Sequence, residues 1–188
     1  MMWIVLGVIV CVVLWVIMSY NNLISLKNQT LNGWKQIDIQ LKRRHDLIPN
    51  LIETVKGVMK FEQNTLTQVI QARNSAIAAS AQGPAAQAVQ ENALTGSLRQ
   101  LFALAENYPD LKSNQNATNL QEELSSTENK ISFARQFYND IATQFNIAQQ
   151  SFPANMIASQ FGFKLAELFE ITDPADKEVP KVDLNLNK

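Results

Sequence analysis

The sequence is poor in the residues that build most catalytic and metal centres. It contains one cysteine, one histidine and six glycines among 188 residues. One cysteine cannot form an intramolecular disulfide, and together with one histidine it supplies too few ligands for a zinc site. No Glu precedes His45 by three residues, which excludes the Glu-x-x-His pairs of di-iron bundles. We therefore expect no metal and no cofactor, and we interpret His45 as a solvated or helix-pairing residue.

Motifs of catalysis and phosphate binding are also missing. The sequence has no G-x-x-x-x-G-K, G-x-G-x-x-G, G-x-S-x-G or H-E-x-x-H. Glu122 and Glu123 are adjacent and so point to different helix faces, where they cannot act jointly as acid and base. The net charge is −1, and the basic run 42–44 has Asp38 and Asp46 at helical spacing, which favours surface pairing. We predict no catalytic residue, no enzymatic activity and no nucleic-acid partner.

Charge is absent from the first 26 residues, and residues 2–18 are all apolar or glycine. Seventeen residues in a helix span about 25 Å, just enough for a hydrocarbon core. Trp3, Trp15 and Tyr20 would lie near its edges. We predict that residues 1–20 form a transmembrane anchor that contacts the lipid bilayer through residues 2–18.

Three other kinds of segment can contain an N-terminal apolar run of this length. A cleaved signal peptide would have a basic start and small residues before the cut, and neither is present. Cys11 lies between Val10 and Val12 and so lacks the small neighbours of a lipidation site. A buried core helix is the third alternative, because about 17 residues is the lower limit for a span. Lys27 and Lys35 follow the run, so the positive-inside rule predicts an inner-membrane, single-pass protein with a cytoplasmic domain.

Residues 21–170 show helical periodicity almost throughout, and strand patterns are absent. The first apolar stripe alternates spacings of three and four and comprises Trp34, Ile37, Leu41, Arg44, Ile48, Leu51, Val55 and Val58. It keeps its phase across Pro49, which predicts a kinked continuous helix ending near Gly83-Pro84, although Asn50 could instead cap a fresh start. This first helix can be continuous with the anchor.

Further helices are predicted over residues 85–107, from Thr118 to Phe152, and around residues 155–163 with a possible extension to residue 169. Thr118-x-x-Gln121 has the form of a capping box. Stripes on long helices joined by short turns bury themselves against one another, which predicts an all-α, antiparallel long-helix bundle over residues 21–170. Residues 171–188 are rich in Asp, Lys and Pro, so we expect an extended or disordered tail.

Arg44 is the unusual member of the first stripe. Our first interpretation places it at the rim of the stripe with its guanidinium in water. The alternative is a buried ion pair that fixes helix register, with Glu128, Asp140 or Glu53 as partner. A ligand-binding role is a third possibility. Pro49 and Asn50 are interpreted as a helix kink with a local cap. The alternative is a hinge, or an indentation that binds a partner.

Two further groups are candidate structural or interaction residues. Glu128, Arg135 and Tyr138 lie on or beside the stripe of the third predicted helix, and the Tyr138 hydroxyl is expected to find an internal acceptor. Phe161 and Phe163 belong to a short apolar segment that either closes the open end of the bundle or contacts a partner or the membrane.

One block of sequence is very specific. It runs Trp34-x-x-Ile37-Asp38-x-x-Leu41-Lys42-Arg43-Arg44-x-Asp46-Leu47-Ile48-Pro49-Asn50-Leu51. With Tyr108-Pro109, Phe152-Pro153 and Phe161-Gly162-Phe163, it closely resembles the LemA family. This resemblance implies a bacterial-type membrane protein with one N-terminal span and a long-helix bundle inside the cell. It supplies no catalytic residues.

The anchor, the stripes and the lack of catalytic motifs predict a non-enzymatic scaffold or adaptor with an unidentified protein partner. The alternative is a membrane-shaping or lipid-organising protein whose amphipathic elements lie on the bilayer. A weaker alternative is a ligand sensor that signals through the anchor, which would need a pocket near Arg44.

Overall fold

The computed structural model describes residues 1–170, and all regular structure within that range is helical. The prediction of an all-α bundle is confirmed. The six helices are α1 (Met2–Lys56), α2 (Gln63–Ala79), α3 (Pro84–Ala105), α4 (Pro109–Lys112), α5 (Gln115–Gln150) and α6 (Ala154–Gln160). The predicted tail, residues 171–188, lies outside the described residues.

Helix α1 continues from the apolar run into the bundle without a break. It passes through Pro49, as predicted, and Asn50 does not begin a new helix. Proline has no N–H, so the carbonyl of His45, four residues earlier, loses its helical donor. Arg73 of α2 replaces that donor, because its Nε lies 2.7 Å from the His45 oxygen.

The predicted end of the first helix near Gly83-Pro84 is wrong. α1 ends at Lys56, and a short turn leads to α2 at Gln63. Met59 lies in that turn with no exposed surface, so the chain reverses around a buried side chain. Buried side chains in the turn keep the apolar spacing of α1, because they pack into the same core. Periodicity alone therefore does not show that the chain reverses direction here.

The predicted start and end of two later helices also need correction. α5 starts at Gln115 instead of Thr118, because the Asn114 side chain caps it by accepting from the Asn116 and Ala117 amides at 3.0 and 3.2 Å. Thr118 lies in the first turn, where its hydroxyl donates to the Asn114 carbonyl at 3.3 Å. α6 ends at Gln160, and residues 163–170 form a non-helical segment, here called the strap.

The helices alternate in direction, and α1 lies antiparallel to α5. A Cβ built on Gly33 of α1 would lie 3.4 Å from the Cα of Tyr138 on α5, so the two backbones approach closely there. Three apolar clusters follow each other along the pair. The first joins Leu23 to α6, the second joins Ile37 to α5 and the strap, and the third joins α1, α2, α3 and α5 around Leu94.

Candidate functional site

A buried ion cluster joins three helices at the middle of the bundle. Arg44 of α1 is only 1% exposed. Its guanidinium donates to Glu91 of α3, to Glu128 of α5 at 2.5 Å and to the Thr95 hydroxyl at 2.8 Å. The His45 Nε2 lies 3.0 Å from Glu91 Oε1. The buried Arg44 and Glu91 charges therefore lie beside each other, as burial of a charge requires, although Arg44 Nε, His45 Nε2 and Glu91 Oε1 form no hydrogen bond within residues 1–170.

This cluster corrects two predictions. Arg44 does not lie at the rim of its stripe, and the alternative of a buried pair with Glu128 describes its contacts. His45 is also buried, so the interpretation of a solvated residue is wrong, whereas the helix-pairing alternative describes its contact with Glu91. Both differences have one cause, because the acidic partner that both side chains share, Glu91, lies on a different helix, α3.

The electrostatics of the cluster hold Glu91 in its charged form. Burial alone would raise the pKa of this carboxyl group, but the interactions with His45 and Arg44 outweigh burial and leave the pKa below its ordinary value. A lowered carboxyl pKa stabilises the fold above the ordinary pKa, and this contribution is lost as the pH falls through the folded-state pKa. Acid is therefore expected to loosen the cluster.

A second polar site, here called the amide clasp, lies farther along α5. The side-chain amide of Asn139 donates to the Phe169 carbonyl at 3.1 Å and accepts from the Phe169 amide at 2.9 Å. Asn146 makes the same two bonds with Ala166, at 2.9 and 2.8 Å. The two asparagines are seven residues apart, which puts both on one face of the helix. They hold the backbone of the strap independently of its side chains.

Aromatic packing completes the attachment of the strap. The Phe169 ring is buried, with its centroid 5.6 Å from the Trp34 ring. Tyr138 is also buried and donates its hydroxyl to the Glu167 carbonyl at 2.6 Å, so its predicted internal acceptor is present. Burial, with the nearby Glu167 carboxylate, raises the pKa of Tyr138 to about 12.

The other candidate residues lie apart from both polar sites. Pro49 and Asn50 are exposed on α1, and Arg135 is half-buried on α5. Phe161 and Phe163 surround Tyr20 of α1, with ring centroids at 4.8 and 6.0 Å. Within residues 1–170, no three His, Cys, Asp or Glu side chains are grouped so that they could hold a metal ion.

The N-terminal half of α1 contains one segment that is long and apolar enough to cross a membrane. An 18-residue window there has a mean hydropathy of 2.8, and none of it is buried against the rest of the protein. An exposed apolar helix of this kind indicates membrane association.

Sequence reasoning missed Glu91, Asn146 and the strap. A signal for Glu91 was present, because Gln87, Glu91, Leu94, Leu98 and Leu101 follow the same three-and-four spacing as the core of α3. That spacing puts an acidic residue on a buried face. The strap gave no such signal, since a non-helical segment has no helical period.

Comparison with known proteins gives one consistent result. The LemA family model matches residues 33–184. Protein LemA of Metamycoplasma hominis is 27% identical over 170 residues, which cover 89% of this chain and 74% of that protein. Magnetosome protein MamQ 2 of Paramagnetospirillum magneticum is 24% identical over 187 residues, covering 87% of this chain and 69% of the relative. MamQ of Magnetospirillum gryphiswaldense is 21% identical with the same coverage.

Proposed function

This chain belongs to the LemA family, and on that premise we propose that it is a membrane-anchored, non-enzymatic scaffold or adaptor. The observation that carries the proposal is the continuity of α1, which extends from Met2 to Lys56. At 1.5 Å per residue this helix is about 80 Å long. It would fix the position of the bundle relative to the bilayer, as a scaffold requires.

The helix faces supply surfaces for a protein partner. Phe133 and Phe137 lie four residues apart on α5, and both are exposed. Exposed aromatic side chains at this spacing suit contact with an amphipathic helix. Arg44 is bound by Glu91, Glu128 and Thr95 and is almost fully buried, so its guanidinium is not open to a ligand, which favours an adaptor over a ligand sensor.

The scaffold proposal is tested by photo-crosslinking the full chain in its native membranes. A photoreactive amino acid replaces Phe133 in one variant and the exposed Gln71 of α2 in a matched control. We expect one reproducible cross-linked protein from position 133, absent from position 71 and lost when Phe137→Glu is added. If position 133 yields no reproducible protein partner, the adaptor proposal is wrong.

We further propose that the bundle lies in the cytoplasm, with α1 in the inner membrane. Support comes from Lys27 and Lys35, the first charged residues after the apolar run. Protease added to inverted membrane vesicles should digest the bundle, whereas intact cells should protect it. Digestion on intact cells would refute this orientation.

A further inference from the structure

The end of the bundle nearest the apolar run has an outer surface that is unusually apolar. Residues 152–165 include α6 and are here called the collar; its last three residues are also the first three of the strap. α6 packs against α1 and α5. Ile157 and Ala158 face inward and bury Leu23. The collar also carries four exposed apolar side chains: Phe152, Met156, Phe161 and Leu165.

The contacts with α1 set the height of the collar. Tyr20 follows Met18, the last residue of the apolar run, by only two residues, or about 3 Å along the helix. The Phe161 ring centroid is 4.8 Å from that of Tyr20. The polar interface on each side of a bilayer is about 5–7 Å thick. If α1 spans the bilayer, Phe161 therefore lies at the depth of the interface.

The distribution of charge agrees with this placement. The sequence has no Asp or Glu before Asp38, and none between Asp140 and Glu167. These two stretches contain the anchor, the C-terminal end of α5 and the collar. Basic residues do occur there, and the Lys27 Nζ lies 5.9 Å from the centre of the Phe163 ring. A surface without carboxylates and with lysines suits contact with anionic lipid headgroups.

We propose that the collar is a second membrane contact, which inserts Phe161 into the interface of the bilayer that α1 crosses. Phenylalanine and leucine side chains of interfacial amphipathic elements bury themselves at the boundary between headgroups and acyl chains. The molecule that the collar binds is lipid, and Lys27 faces the lipid headgroups. The inference depends on the membrane-anchoring part of the proposed function and does not depend on the protein partner.

Site-directed spin labelling of the full chain in vesicles of phosphatidylcholine and phosphatidylglycerol tests this inference. The native Cys11 reports on the anchor, since it is the only cysteine. In a Cys11→Ala background, Phe161→Cys reports on the collar. Phe133→Cys is the matched control, because Phe133 is a phenylalanine on α5 that is 73% exposed, compared with 57% for Phe161. Collisions with oxygen and with a water-soluble nickel complex give the depth of each label.

We expect the label at position 11 to be deep, the label at position 161 shallow but oxygen-accessible, and the label at position 133 in water. A label at position 161 that nickel reaches as readily as position 133 would overturn the inference and leave the anchor intact. A label at position 161 that neither reagent reaches would indicate a protein cover and would also overturn it. Nickel access to position 11 would refute the anchor and the collar together.

Because Phe161→Cys removes the ring, a second variant keeps that ring in place. Met156→Cys, in the Cys11→Ala background, labels an exposed position on α6. We expect it to be shielded from nickel relative to position 133. If positions 156 and 161 are both as open to nickel as position 133, the collar does not contact the membrane.

Discussion

The ion cluster and the amide clasp both depend on α5, but they use opposite chemistry. The ion cluster pairs full charges on three regular helices, and every main partner is a side chain. The amide clasp pairs neutral asparagines with the backbone of a non-helical strap. Charges suit the first task because a buried ion pair has one favourable register between helices. Amides suit the second because each offers one donor and one acceptor, as a peptide unit does.

The largest effect is expected when the central charge of the ion cluster is removed. Arg44→Ala leaves Glu91 buried without its cation, so we expect a loss of about 3–5 kcal/mol in the free energy of unfolding. Denaturant unfolding of the full chain in detergent, followed by circular dichroism, measures it. Arg43→Ala is the control, since that side chain is 49% exposed and lies 3.8 Å from Glu123. Its loss should be about 0–1 kcal/mol. Equal losses would show that the cluster does not stabilise the fold.

A smaller effect is expected from the amide clasp. Asn139→Ala removes two hydrogen bonds to the backbone of Phe169, which together contribute about 2 kcal/mol. The loss should be local, so hydrogen exchange at the Phe169 amide should accelerate while α1 and α3 near the ion cluster stay protected. Asn129→Ala, at an exposed position of the same helix, should change neither. Unchanged exchange at Phe169 would contradict the role of the clasp.

The smallest change in stability is expected from Arg73. This side chain lies beside the ion cluster, but like the asparagines of the amide clasp it binds a backbone group. Arg73→Ala removes the donor to the His45 carbonyl and should cost about 1 kcal/mol. In a Pro49→Ala background, residue 49 regains the N–H that bonds this carbonyl, so the same substitution should cost less. A double-mutant cycle measures the difference. An equal cost in both backgrounds would show that Arg73 does not replace the missing donor.

Periodicity predicted much of the fold because long helices bury one face. The stripe predicted for α5 is buried from Leu124 to Phe145, but its last predicted member, Phe152, lies beyond the helix and is 81% exposed. The stripe of α1 placed Arg44 among core residues. What periodicity could not show was the turn at residues 57–62, since Met59 is buried there just as a helical residue would be. The capping-box pattern at Thr118 misled because Asn114, one turn earlier, already caps the helix.

The two polar sites were predictable to different degrees. Arg44 and Glu128 were both named from their places on stripes, whereas their shared network required knowing that Glu91 of α3 faces them. The clasp was beyond reach, because its partners are backbone atoms of the strap. Every residue has a backbone carbonyl, so the sequence does not show which carbonyl will bind an asparagine side chain.

Because α1 is continuous, a movement of its membrane segment is transmitted to the bundle. The helix extends from the anchor to Lys56 without interruption, so any tilt of the membrane segment also moves the far end of the bundle. From Met18 to Lys56 the rise is about 57 Å, and a tilt of about 20° shifts the far end sideways by about 20 Å. Interfacial side chains such as Trp15 and Tyr20, which help to set the tilt of a membrane helix, would thereby also set the lateral position of the far end of the bundle.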